Sequence, residues 1–234
     1  MTTATDTLPL IDDELALLDE LVPLGTQEIV ELGCGDARVA RALLQRFPQT
    51  RVTGLEVDTR QHAKNLAAPQ ERLRFEAGGA EAIPVPDASF DLALMLKSLH
   101  HVPTPLLAQA LGEIARVLRP GGHLYVSEPV YAGAFNDVIR LFNDERVVRA
   151  AAQAALDHAL QTDAWEPVAD LQFQTTVAFR DFADFEARLM RPTFADHQID
   201  EATLAATRAA FAPHCGPDGA RFIRPMHVRV LRRR

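Results

Sequence analysis

The run Ile29-Val30-Glu31-Leu32-Gly33-Cys34-Gly35-Asp36, followed 21 residues after Gly35 by Glu56 at the end of a second apolar stretch, constrains this chain more than any other feature. Ile29 to Leu32 has the β-branched and aliphatic character of a short buried strand. From Ala37 to Phe47 the apolar residues Val39, Leu43, Leu44 and Phe47 recur at helical spacing. Strand, glycine turn, helix is therefore the local order. Glycine suits such a turn because the backbone must bend sharply and come close to a ligand, where a side chain would collide. An acidic residue about 20 positions later stands where a carboxylate accepts hydrogen bonds from both ribose hydroxyls. The pattern reads as a nucleoside-cofactor site, with Glu56 as the ribose ligand ahead of Asp58, two residues on.

A dinucleotide site would place a third glycine three residues after Gly35, where this chain has Arg38. That glycine permits close helix and strand packing beside a pyrophosphate, so Arg38 counts against NAD or FAD. The run E-L-G-C-G-D-A instead resembles motif I of class I methyltransferases, which bind S-adenosylmethionine. Two further segments carry the resemblance. The first is Glu81-Ala82-Ile83-Pro84-Val85-Pro86-Asp87-Ala88-Ser89-Phe90-Asp91 with Leu99-His100-His101-Val102; the second is Glu113-Ile114-Ala115-Arg116-Val117-Leu118-Arg119-Pro120-Gly121-Gly122-His123-Leu124. Together they are similar to the methyltransferase type 11 branch, related to the enzymes of ubiquinone and menaquinone biosynthesis, over roughly residues 28–129.

The resemblance implies that Gly33, Cys34 and Gly35 lie at the methionine side of S-adenosylmethionine, with Glu31 near its amino group. It implies Glu56 at the ribose, Val57 among the cofactor contacts, and Gly79, Ala80 and Glu81 at the adenine. One position departs from the family, which usually has an acidic residue before Ala80-Glu81 to receive the adenine amino group; here it is Gly79. Glu81 or a backbone carbonyl is then the expected substitute. Lys97 falls at the predicted carboxyl end of the fourth strand, where the family positions the transferable methyl and the acceptor. It and Lys64 are the only lysines among 24 basic residues. A compact ammonium there serves either a carboxylate or phenolate on the substrate or the carboxylate of the cofactor. His100 and His101 follow, and either imidazole could remove a proton as the methyl transfers. These three residues are the catalytic candidates.

A chain of 234 residues fits one α/β domain. The expected divisions are an N-terminal helical segment (1–27), a cofactor-binding core (28–129), a helical substrate-covering elaboration with one strand (130–219) and a final strand (220–234). Strand patterns at 28–32, 51–56, 72–76, 90–96 and 122–127 alternate with helical ones at 37–47, 60–67 and 104–118. This predicts a Rossmann-like, seven-stranded, mostly parallel sheet with helices on both faces and late helical insertions. One helix-favouring stretch is expected from 134 to 160, and residues 214–219 read as a loop.

A net charge of −8 disfavours a nucleic-acid footprint and favours a small-molecule substrate. No apolar run is long enough to span a membrane, and the first residues lack a basic and apolar leader pattern, so a cytoplasmic protein is expected. Cys34 and Cys215 are the only cysteines. They imply neither a disulfide framework nor a metal set. Further substrate contacts are sought among Glu128, Tyr131, Arg140, Asn143, Arg191, His197 and Arg224, while Trp165 and Phe194 suit a core. The activity these features point to is transfer of a methyl group from S-adenosylmethionine to a small molecule. RNA methylation and a noncatalytic binding role with a decayed cofactor site are the alternatives.

Overall fold

Ile29, Val30, Glu31 and Leu32 are all buried in β1 (Glu28–Leu32), and this is why the strand is a continuous apolar run rather than an alternating one. The computed structural model describes residues 8–22, 24–25, 27–191 and 198–234. Phe194 and His197 lie outside the described residues. After β1 come α2 (Arg38–Arg46), β2 (Arg51–Glu56), α3 (Thr59–Leu66), β3 (Leu73–Ala77), β4 (Phe90–Leu96), α4 (Leu107–Val117) and β5 (Leu118–Pro129); α1 (Glu14–Leu21) precedes them. Then follow α5 (Gly133–Ile139), α6 (Arg146–Ala159), β6 (Trp165–Phe179), α7 (Phe182–Phe185), α8 (Glu201–Phe211), β7 (Cys215–Gly216) and β8 (Gly219–Arg233).

The strand order is β3-β2-β1-β4-β5-β8-β6, and β3, β2, β1, β4 and β5 run parallel. From β1 the chain moves outward through β2 to β3, then returns to β4 on the other side of β1. Right-handed crossovers in opposite directions put α2 and α3 on one face and α4 on the other. The carboxyl ends of β1 and β4 therefore flank a topological switch point, the crevice where open α/β sheets bind ligands.

The chain divides into two compact units. One comprises Asp13–Glu128, Ala150–Leu171 and Val228–Arg234, and its core includes Val30, Leu55, Ala93, Ile114, Leu124, Leu156 and Trp165. In α4 the buried residues are Leu107, Ala110, Leu111, Ile114 and Val117, one helical stripe. The other unit takes the described parts of Met1–Asp12, Pro129–Arg149 and Gln172–His227. Its core is rich in phenylalanine: Phe135, Phe179, Phe182, Phe185, Phe211 and Phe222. Phe179 and Phe185 meet edge to face at 5.1 Å.

The fold class matches the sequence reading, with two local differences. The stretch 134–160 forms two helices, because Asp144 Oδ1 accepts from the Arg146 amide (3.0 Å) and starts α6 anew. Residues 214–219 are not simply a loop: Cys215–Gly216 pairs antiparallel with Gly219–Ala220 and adds an eighth, two-residue strand. β8 continues through Pro225, whose carbonyl still accepts from the Val130 amide at 3.0 Å. Sequence periodicity does not register such short-range pairings.

Gly54 in β2 is forced by close approach. A Cβ there would lie 2.8 Å from Cys34 Sγ and 3.3 Å from Phe75 Cδ1. Gly54→Ala should destabilise the protein by about 1 to 3 kcal/mol through overpacking. Denaturant unfolding of the two proteins checks this, and unchanged stability would mean that the turn at Cys34 is not packed against β2.

Candidate cofactor site

The turn after β1 is closed from three sides. The amides of Gly33 and Cys34 both donate to Leu55 O (3.0 and 2.9 Å), fastening the turn to β2. Gly33 has φ +71°, and a Cβ on it would lie 2.9 Å from Ser98 Cβ. Ser98 Oγ in turn donates to Leu32 O at 2.7 Å. Glu56, 8% exposed, accepts from the Gly35 amide on Oε2 (2.7 Å) and from the Asp58 amide on Oε1 (2.8 Å). A carboxylate oxygen has two acceptor positions, so each keeps one for a ligand hydroxyl. Asp58 Oδ1 instead accepts from the Arg60 amide at the start of α3, the duty of a helix cap.

The amino end of α2 explains why this turn does not suit a pyrophosphate. Its free amides are the donors an anion would use, but Glu31 Oε2 accepts from the Ala40 amide (3.1 Å) and Asp36 Oδ1 from the Arg38 amide (3.2 Å). Two carboxyl groups at the turn therefore occupy amides that a pyrophosphate would need. Glu31 is 4% exposed, and burial pushes its carboxyl up to about 8, against the lowering effect of the Ala40 amide. Cys34 is buried too, and burial, with Glu31 and Glu56 adding to it, pushes its thiol up to about 12. It is a packing residue beside Gly54 rather than a nucleophile.

The two later signature segments prove to be one device. Arg116 of α4 donates to Val85 O, Ile83 O, Asp87 and Glu113, and Glu113 Oε2 accepts from the Ile83 amide (3.1 Å). These bonds pin the loop after β3. Asp91 of β4 likewise accepts from the Glu28 amide (2.9 Å) and pairs with Arg119 (2.5 Å), tying β1 and β5 to β4. Within the pinned loop Ala80 is buried, and the Glu81 carboxylate folds back over Gly79, where a Cβ would collide with both of its oxygens. The Gly78 amide donates to Glu56 O at 3.3 Å, so this loop adjoins Glu56. Val57 is 67% exposed, an apolar face presented beside Glu56.

Lys97 follows β4 as expected and has φ +61°, a left-handed conformation costly for a side-chain-bearing residue. Its Nζ lies 3.6 Å from Glu14 Oε2 of α1, and Glu14 Oε1 accepts from the buried Tyr125 hydroxyl at 3.4 Å. His100 is buried and its Nδ1 pairs with Glu128, which also accepts from the Leu99 amide (2.9 Å). His101 is exposed. Glu128 thus anchors the histidine turn and is not an open substrate contact. Arg140 pairs with Asp137 (3.1 Å), Asn143 with Glu145 (2.9 Å) and Arg191 with Glu186 (3.0 Å), while Tyr131 bonds Asp144. The Arg224 guanidinium stands 5.4 Å from the Phe135 ring centre, and Trp165 is core. Sequence reading missed Ser98, Glu14 and Asn65, the last 3% exposed with Nδ2 donating to Gly35 O at 2.8 Å. All three are remote in sequence from the groups they touch.

Residues 29–122 match a family model described as a methyltransferase domain. Over that segment the chain resembles a methyltransferase domain. It is 32% identical over 134 residues to the 27-O-demethylrifamycin SV methyltransferase of Amycolatopsis mediterranei, covering 50% of this chain and 48% of that protein. It is 31% identical over 118 residues to the demethylmenaquinone methyltransferase of Chlamydia trachomatis, covering 50% of each. The chain spans about half the length of the curated relatives it matches. Among solved structures, the YcgJ protein of Bacillus subtilis superposes with a TM-score of 0.63 at 18% identity, over 94% of this chain and 97% of that one. That likeness supports the fold. Among the described residues, no helix is long and apolar enough to cross a membrane.

The raised pKa of Glu31 sets a pH dependence. Its folded value of about 8 exceeds the ordinary 4.5, so the folded protein holds a proton that the unfolded chain gives up between those values. Stability from this group is full below 4.5 and is lost as pH rises towards 8, on the order of 3 kcal/mol by pH 7. Glu31→Gln should remove that slope. Thermal melts from pH 5 to 8 would reveal parallel profiles for the two proteins if Glu31 were ionised throughout.

Proposed function

We propose that this chain transfers the methyl group of S-adenosylmethionine to a small-molecule acceptor and releases S-adenosylhomocysteine. The observation that carries the reading is Glu56, held at the switch point by two amides with one acceptor position free on each oxygen. The carboxyl groups of Glu31 and Asp36 take amides at the amino end of α2 that a pyrophosphate would use, which accords with a cofactor that has no phosphate. Both curated relatives are named for methylation of small molecules, and a net charge of −8 accords with such an acceptor.

S-adenosylmethionine supplies an electrophilic methyl on a sulfonium, so no covalent bond to the protein is needed and in-line placement is the main requirement. Glu56 takes the ribose hydroxyls, Val57 covers one face of the base, and Gly33 and Gly35 let the turn approach the methionine end. Glu31 receives the amino group, and the Ala80 amide and the Glu81 carboxylate face the adenine edge. Lys97 and His101 stand after β4 on the acceptor side, with His100 positioning the turn that carries them through its bond to Glu128. A base is needed only where the acceptor loses a proton, and the exposed His101 imidazole is then the candidate. The two free cysteines accord with a cytoplasmic site of action.

Calorimetric titration of ligand-stripped protein with S-adenosylmethionine, S-adenosylhomocysteine and NAD tests the reading. Selective binding of the two sulfur nucleosides is expected, with Glu56→Ala weakening both by about tenfold or more; an unchanged dissociation constant would remove Glu56 from the ribose. Turnover of a labelled methyl separates an enzyme from a binding protein.

The adenine assignment makes a second prediction. Gly79→Asp alone should weaken binding, because the new side chain enters the space of the Glu81 carboxylate, whereas Gly79→Asp with Glu81→Ala should restore it. If the double variant binds no better than the single one, Glu81 does not receive the base.

A further inference from the structure

Asn65 belongs to no motif, yet it closes a ring of hydrogen bonds around the turn. Its Nδ2 donates to Gly35 O (2.8 Å), while its Oδ1 accepts from Gln61 Nε2 (3.0 Å), one helical turn earlier on α3. The same glycine gives its amide to Glu56 Oε2 (2.7 Å). Glu56 Oε1 takes the amide of Asp58, and Asp58 caps α3, the helix that carries Asn65. The ring thus runs from α3 through the glycine to the carboxylate and back to α3.

We infer that Asn65 is a positioning residue for nucleoside recognition, acting through Gly35 to aim the free acceptor positions of Glu56 at the ribose hydroxyls. Gly35 has φ +53°, and a Cβ on it would meet nothing within 4 Å. No side-chain packing fixes its orientation. An amide side chain is the group that serves here: Nδ2 must donate to a carbonyl while Oδ1 accepts from Gln61, and neither aspartate nor leucine does both. At 3% exposure, Asn65 does not itself reach a ligand. Gly35 O belongs to the peptide that follows its Cα and the Gly35 N–H to the one that precedes it; losing the Asn65 bond frees the φ and ψ of the glycine that joins them, and its amide is then less firmly held on the carboxylate of Glu56.

This inference rests on the cofactor reading, and the test separates the two. S-adenosylhomocysteine and its 2′-deoxy and 3′-deoxy counterparts are titrated into the wild type, Asn65→Leu and Gln61→Leu. The wild type should prefer the ribose form by about tenfold or more, the range of a hydrogen bond to a charged group. Asn65→Leu should compress that preference to within about threefold, and Gln61→Leu, which loosens Asn65 without touching the turn, should fall between. A merely structural role would lower affinity for all three ligands by one factor and leave their ratio unchanged, overturning the inference while the cofactor reading stands. If the wild type binds none of the three, the cofactor reading fails and takes the inference with it. Should Asn65→Leu not fold, the ratio in Gln61→Leu decides: compression supports the inference and an unchanged ratio overturns it.

Discussion

The carboxylate of Glu56 is the point on which the site depends. It sits at the end of a buried strand and is kept there by two amides, those of Gly35 and Asp58. A buried carboxylate without such donors would be costly, so the turn after β1 and the start of α3 must both adopt the conformations that supply them. This single requirement links β1, β2 and α3.

The remaining polar groups of the core unit divide their labour. Asp91 and Arg119 bind strand to strand, and Arg116 and Glu113 bind a loop to a helix. These are the residues that make the two later signature segments recognisable, and each does its work by satisfying backbone groups that irregular chain leaves open. At the turn itself the carboxyl groups of Glu31 and Asp36 occupy amides that a phosphate would otherwise claim. In the strand-turn-helix element that elsewhere accepts pyrophosphate, two side chains here take up helix amides.

Much of this was legible along the chain. The apolar runs of β1 and β4 and the helical stripe of α4 follow from burial on both sheet faces and on one helix face, and periodicity reports both. The glycine turn, Glu56 and the position of Lys97 at a strand end were readable because each depends on neighbours close in sequence. The break between α5 and α6 and the β7–β8 hairpin were not, since Asp144 and the pair Pro217-Asp218 act over a few residues that carry no period. The approach of the Glu81 carboxylate to Gly79 had no counterpart in the sequence beyond one possibility among others.

The sequence by itself determined the order of strands and helices, the turn chemistry after β1, and the absence of a third glycine at Arg38, because these are set by local sterics and by which residues avoid water. Only the tertiary structure decided that Asn65 reaches Gly35, that Glu14 reaches Lys97, that Glu128 is spent on His100, and that the Glu81 carboxylate lies over Gly79. Each of these joins groups brought together by strand order or a loop path, and hydrogen bonds of that kind are specified by three-dimensional placement, to which no spacing along the chain corresponds.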